Sequence, residues 1–345
     1  MLKEITYQAP NSAEAYFSEF LQLHHPVTFV NYSVVGENAL PSEGTEVNNI
    51  INFSLVNDIR YINKYFQKVN QKLEQGDYFC GCLETFSAKQ SKQNFGKVPI
   101  LKKALSFFDF VVHRVFPKIK GIKYVYFSVT KGQSRLLSKA EVFGRLVCCG
   151  FEIVDYKDID EIIYFVAKKA SEPKEDIKPS YGPIFKMARI GKDGKVFFVY
   201  KFRTMHPYSE YLQDFVLQSN GYASSGKPAK DFRLTPWGKF LRRYWLDELP
   251  QLLNVMKGEM KLVGVRPVSS RYFQDIPTDL QKLRLTQKPG CIPPYLALGL
   301  KSNVHDVQRA EREYLEEKIK KPYSTDFRYF YKALYHIIIK KKRSA

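Results

Sequence analysis

TPWGKFLRRYWLDELPQLLNVMKGEMKLVGVRP, running from Thr235 to Pro267, holds two adjacent arginines (Arg242, Arg243), two adjacent carboxylates (Asp247, Glu248) and a third arginine (Arg266). Thr235 followed by Pro236 reads as an N-cap with proline at the first helical position, which starts a helix running to about Tyr244. Asp247 fits the N-cap of a second helix. Pro250 lies in the first turn of that helix, where its missing N–H costs nothing, and Gly258 is the stop. Leu252, Leu253 and Met256 give it an apolar face. Asp247 and Glu248 are then expected together at the positive end of a helix dipole, which keeps a carboxylate ionised and attracts anions. Spacing alone leaves two readings open: a capped helix beside a solvated cationic face, or a site for phosphate chemistry.

A chain of 345 residues suggests two domains, with ample length to bury cores. The formal net charge of +19 is unevenly placed. Residues 1–180 hold 23 basic and 20 acidic side chains, whereas residues 181–345 hold 31 and 15. A phosphate-rich partner is implied for the second half. Nucleic acid, anionic lipid and a nucleotide sugar all meet that description, but no nucleic-acid-binding module is recognisable. Five cysteines (Cys80, Cys82, Cys148, Cys149, Cys291) lie in apolar surroundings without paired metal spacing, so buried reduced thiols in a cytosolic protein are expected. No signal peptide and no run of 18 apolar residues is found, so no transmembrane helix is expected.

Residues 1–170 read as a separate α/β domain. Strands are predicted at Val27–Val35, Asn49–Leu55, Tyr78–Leu83, Ile122–Thr130 and, as a hairpin, Glu152–Lys168. Helices are predicted at Val56–Leu73, Val98–Ile119 and Ser138–Cys149. This alternation implies a layered, partly parallel sheet. Its order resembles the back half of a class I methyltransferase. Gly36 and Gly44 stand alone where that family places a glycine-rich loop, so the resemblance implies a degenerate, non-catalytic Rossmann-like (methyltransferase-like) domain. Pro99–Ile119 is rich in phenylalanine and flanked by lysines. It fits either a buried crossover helix or a helix lying in a membrane interface. Residues 171–180 are a charged, proline-containing linker.

The second domain, residues 181–345, opens with a turn at Lys192-Asp193-Gly194 and a strand through Phe202. Lys201 and Arg203, two apart, are expected on one face, where they can grip a diphosphate. His206–Lys230 reads as a loop with a short helix at Ser209–Leu217, a candidate mobile cover over the site. The final helix, Phe327–Lys342, carries an apolar stripe (Phe330, Leu334, Ile337, Ile338) and ends in Lys340 to Arg343. It fits either a docked terminal helix or a membrane-surface helix.

LDELPQLLNVMKGEMKLVGVRP resembles the signature of the bacterial sugar transferases, the monotopic polyprenyl-phosphate phosphoglycosyl transferases: S-L-D-E-L-P-Q-L-x-N-V-x-x-G-[DE]-M-S-x-V-G-P-R-P. Lys201-Phe202-Arg203-Thr204-Met205 matches the family's K-F-R-T-M, and Asp231-Phe232-Arg233-Leu234-Thr235 resembles its D-P-R-[VI]-T lead. The resemblance implies an α/β catalytic domain that transfers a sugar-1-phosphate from a UDP-sugar to polyprenyl (undecaprenyl) phosphate, starting a surface glycan such as an exopolysaccharide, capsule or O-antigen. It implies Asp247 as nucleophile, through a phosphosugar-aspartate, and as Mg²⁺ ligand, with Glu248 as a base. Lys201, Arg203, Asp231, Arg233, Arg242, Arg243 and Arg266 are the implied substrate-binding residues. It also implies the cytoplasmic face of the bacterial inner membrane and protein partners of a glycan assembly pathway; without the family's usual anchor, the membrane is expected to be met peripherally or through a partner. Val265 stands where the family has proline, and Met187 where it has glutamine. Cys291-Ile292-Pro293-Pro294 alters the P-G-[IL]-T-G segment, and the family's hydrophobic re-entrant helix is absent from 170–180. A transferase-like scaffold in a glycan assembly complex is therefore the alternative.

Overall fold

The computed structural model describes residues 11–21, 27–30, 48–92, 99–119, 121–173, 182–221 and 228–340. Gly36, Gly44, residues 31–35 of the first predicted strand, most of the linker and the terminal Lys341, Lys342 and Arg343 lie outside them. The chain forms two units: residues 1–181 with 206–233, and residues 182–205 with 234–345.

In the first unit α1 (Asn11–Ser18) precedes β1 (Val27–Val30) and β2 (Asn49–Leu55). Then follow α2 (Ile62–Lys72), β3 (Tyr78–Glu84), α3 (Phe86–Lys92), α4 (Pro99–Phe110), α5 (Ile122–Thr130), α6 (Lys139–Cys148), β4 (Phe151–Ile159) and β5 (Ile162–Lys169). The strands form one mixed sheet in the order β1-β2-β3-β5-β4, parallel through β3 and antiparallel beyond. Ser138 caps α6 by accepting from the Glu141 amide, the short polar cap that the sequence signals. Phe79, Phe143, Phe151 and Phe165 fill the core, and Cys80, Cys82, Cys148 and Cys149 are buried free thiols.

Three readings change here. Ile122–Thr130 is a helix, α5, and not a strand. It starts at Gly121 (φ 95°) and stops at a left-handed Lys131. Beyond α4, the predicted helix continues as a π turn (Val111–Val115) and a 3₁₀ turn (Phe116–Lys118), with Arg114 buried while Phe107 and Phe108 are exposed. The third change concerns 206–233, which belongs to the first unit rather than standing as a loose cover. The short helix expected from Ser209 begins there as a 3₁₀ turn (Ser209–Leu212) and continues as the helix α7 (Gln213–Asn220). Leu212 and Val216 join the sheet's core, and Tyr208 lies so close to Gly144 that a Cβ there would meet the Tyr208 carbonyl at 2.3 Å.

The second unit begins with a hairpin of β6 (Ile184–Ile190) and β7 (Val196–Phe202), turned at Asp193 and Gly194, both at positive φ. Met205 and Leu234 then bridge, so the 206–233 segment leaves and re-enters at one point. The chain continues through α8 (Pro236–Arg243), a 3₁₀ turn (Leu246–Gln251), α9 (Leu252–Met256), β8 (Lys261–Val263), α10 (Ser270–Gln274) and α11 (Thr278–Leu285). It ends with β9 (Gly290–Ile292), α12 (Pro294–Ala297), α13 (Val304–Lys320) and α14 (Ser324–Ile338). β8 and β9 pair in parallel. They approach so closely that a Cβ on Gly290 would meet the Gly264 amide at 2.1 Å, which is why the Lys288-Pro289-Gly290 glycine admits no side chain. α14 docks through Tyr329, Ala333, Phe330 and Ile337, while Phe327, Tyr331, Ile338 and Ile339 are exposed. Among the described residues no helix is long and apolar enough to cross a membrane.

Candidate active site

Two motif residues fix the frame. Thr235 caps α8 by accepting from the Gly238 amide, and its own hydroxyl donates to the Thr204 carbonyl. Asn254 lies fully buried on α9. It donates to the Phe198 carbonyl, accepts from the Tyr200 amide and donates to Glu259, which staples α9 onto β7. The motif asparagine is thus a brace for the strand that carries Lys201.

Asp247 and Glu248 lie inside the 3₁₀ turn. Asp247 is not an N-cap: the residue ahead of the turn is Trp245, in the left-handed region at φ 55°. Lys201 Nζ donates to Glu248 Oε1 at 2.7 Å, and Arg266 Nη2 donates to the same oxygen at 2.9 Å. Burial would raise the Glu248 pKa, but Arg266 and Lys201 outweigh it and hold it below the usual value. Asp247 behaves oppositely. Burial raises its pKa, Glu248 adds to the rise, and Lys201 and Arg242 offset it only in part. The expected dipole effect, which keeps Asp247 low, does not prevail. No ion pair of Asp247 forms among the described residues.

Arg242 is anchored by its Nε on Thr204 Oγ1 at 2.9 Å. Arg203 does not share the grip of Lys201. It donates to the Gly182 carbonyl at 3.1 Å and covers the Phe185 ring. Arg243 is exposed beside Tyr244. Asp231 and Arg233 fall in the first unit. They pair with each other, and Arg233 also donates to Gln213 of α7 at 2.6 Å, so their side chains are occupied in bracing α7.

Sequence reasoning missed the layer behind Arg266. Glu311 on α13 accepts from the Arg266 amide and from Arg284 on α11, and Arg284 in turn donates to the Arg266 carbonyl. Both Arg284 and Glu311 are buried. Gln251 and Arg189 line the same small cavity of about 80 Å³ as Lys201, Glu248 and Arg266. Met187 and Cys291 line it as well, at positions where the sequence departs from the family's pattern.

An expected apolar face also changes meaning. Leu249, Leu252, Leu253 and Met256, together with Trp237 and Phe240 of α8, are exposed, Met256 by 82%. They lie among Lys239, Arg243 and Lys257, all exposed.

A lone carboxylate beside a cation-held one, under a set of arginines and lysines, is the equipment for handling phosphate. Residues 177–339 match the family model described as "Bacterial sugar transferase". The C-terminal half of the chain belongs to that family. Over 146 residues it is 35% identical to "Galactosyl transferase CpsE" of Streptococcus agalactiae, covering 41% of this chain and 32% of that one. It is 44% identical over 107 residues to "Undecaprenyl-phosphate galactose phosphotransferase" of Salmonella typhimurium, covering 28% and 22%. A third relative is "UDP-glucose:undecaprenyl-phosphate glucose-1-phosphate transferase" of Klebsiella pneumoniae, 40% identical over 114 residues, covering 32% and 22%. The chain spans a third or less of the length of these relatives.

Proposed function

We propose that the chain transfers a sugar-1-phosphate from a UDP-sugar to polyprenyl phosphate, the undecaprenyl carrier that two of its relatives are named for, and so starts a surface glycan. The observation that carries this reading is the split between two adjacent carboxylates. Glu248 is held by Lys201 and Arg266, while Asp247 stands outside any ion pair of the described residues. A nucleophile on a dianionic diphosphate must be ionised, not tied up in an ion pair with the protein, and surrounded by charge that offsets the anion it meets.

In this account an Asp247 carboxylate oxygen attacks the β-phosphorus. The new bond is aspartyl oxygen to phosphorus, and the bond from phosphorus to the bridging oxygen breaks, its electron pair leaving with UMP. A phosphate oxygen of the lipid then attacks the same phosphorus and displaces Asp247 as a carboxylate. Lys201, Arg266 and Arg242 neutralise the phosphates. Glu248, kept ionised by its two cations, suits a positioning role better than the base role that the resemblance implies.

Among the described residues no group of three or more metal-ligating side chains occurs. Mg²⁺ needs only one or two carboxylates plus substrate phosphates, so the donor set fits, with Asp247 as the protein's ligand. Bound there, the ion would supply charge neutralisation on the diphosphate.

The exposed apolar face of α8 and α9, set among cations, supports peripheral contact with the cytoplasmic face of an anionic membrane, where a polyprenyl phosphate is met. The first unit is read as Rossmann-like and non-catalytic. Its parallel β1-β2-β3 run supports the first point. Testing uses the full chain, Mg²⁺, polyprenyl phosphate and a panel of UDP-sugars. Lipid-dependent UMP release from one of them is expected, and none from any would defeat the proposal.

A further inference from the structure

We propose that the first unit carries its own binding site for a phosphorylated small molecule, in the cavity between the start of α2, the Val111–Lys118 turns, α5 and α6. The cavity measures about 390 Å³, within the range of small-ligand pockets. Its lining is strongly cationic. In its floor, Glu141 accepts from Arg114 (2.5 Å), Lys118 (3.2 Å) and Arg145 (3.0 Å), so three cations share one fully buried carboxylate. Arg60, Lys64 and Lys123 also line it, with the buried Arg135, which donates to the Ile59 carbonyl. Among the described residues Glu141 is the one carboxylate in the lining.

Burying cations without matching anions is costly, and folds normally pair them. Here seven arginines and lysines and one carboxylate line an open cavity. Burial and the Arg114 guanidinium push Lys118 down to about 7, and the same two causes push His206, which accepts from Arg114, down to about 3. Burial is the larger cause of both shifts, and the neighbouring guanidinium adds to it. α2 opens at the same wall with no side-chain cap and no acidic residue in its first turn, so its dipole adds to that field. A phosphate or diphosphate group answers each feature: it is multiply anionic, accepts several hydrogen bonds at once and matches arginine in bidentate fashion. Tyr61 and Phe127 at the rim, already bracketing Arg60, offer aromatic faces to a nucleoside.

The proposal does not depend on the transferase reading, and the test separates the two sites. Calorimetric titration of the full chain carrying Lys201→Ala and Arg266→Ala, at constant ionic strength, uses inorganic pyrophosphate and ADP as probes. One saturable site is expected, weakened about tenfold or more by Lys118→Gln and by Arg60→Ala with Lys64→Ala. The rim pair is exposed, so it decides the matter even where Lys118→Gln disturbs the fold. Tighter ADP than pyrophosphate would assign a nucleotide; equal affinities would assign the phosphates alone. Absence of saturable binding to both probes, or binding that the rim pair leaves unchanged, would overturn the site.

Discussion

Lys201 on β7 and Glu248 in the 3₁₀ turn are 47 residues apart in sequence, yet their side chains meet at 2.7 Å with both about 85% shielded from solvent, each being 15% exposed. That contact, shared by Arg266, commits one carboxylate of the dyad and leaves its neighbour available. Replacing Lys201 or Arg266 with Ala is therefore expected to lower kcat/KM for the nucleotide sugar by roughly 1.5–3 kcal/mol of transition-state stabilisation each. Arg203→Ala should cost less, because its guanidinium is held on Gly182. Lys340→Ala is the control. Steady-state UMP release checks this, and equal losses for all four would reduce the cations to a general field.

Asp247 carries a pH signature. Its pKa is raised on folding, so the fold disfavours the ionised form: this stability contribution declines as pH rises from 3.8 toward the folded value and stays lost above it. Asp247→Asn, which resembles the protonated form, should therefore unfold at the same or a higher temperature at pH 7. The acid limb of the pH–rate profile should fall above the ordinary carboxylate value, because the attack proposed for Asp247 requires its ionised form. A destabilised Asn variant, or a rate still undiminished at pH 4, would contradict the assignment of burial as the dominant effect.

Glu311 supports Arg266 from behind. Glu311→Ala leaves Arg284 buried without its carboxylate and releases the Arg266 amide, with an expected cost of about 3–5 kcal/mol of stability. Urea denaturation measures it. A loss below about 1 kcal/mol would mean that the Arg284 pair is dispensable.

Much of this was legible because local signals agreed. Thr235-Pro236 marks the start of α8, Ser138 that of α6, and Gly258 takes the left-handed stop after α9 at φ 71°. Ile122–Thr130 misleads because its β-branched and aromatic residues read as strand. That preference expresses packing on a sheet, and here Tyr126 is the one buried side chain of the segment. The 206–233 segment misleads in the other direction: glycine, serine and proline at 221–228 mask Tyr208, Leu212 and Val216, which are core residues. At the site, Asp247, Glu248, Lys201 and Arg266 are carried by dense motifs. The Arg284–Glu311 brace has no local pattern, since its partners are 27 residues apart.

Membrane contact is expected through the exposed face of α8 and α9 at least as much as through α14. Cutting after Asp326 removes Tyr329 and Ala333 from the core and should unfold the domain rather than merely detach it. Point changes are the sharper test. Phe240→Ser and Met256→Ser, each removing an exposed apolar side chain worth about 1.5–3 kcal/mol if buried in lipid, should weaken sedimentation with anionic vesicles by about tenfold or more. High salt should release the wild-type chain. Indifference of binding to both substitutions would exclude this face.

The most direct test of the central claim is a single-turnover experiment with UDP-sugar labelled at the β-phosphate, without lipid acceptor, quenched in acid. Label is expected bound covalently to the wild-type chain and chased into lipid when polyprenyl phosphate is added, with none on Asp247→Asn and turnover of that variant down by roughly three orders of magnitude or more. Label transfer to lipid at an undiminished rate in Asp247→Asn would contradict it.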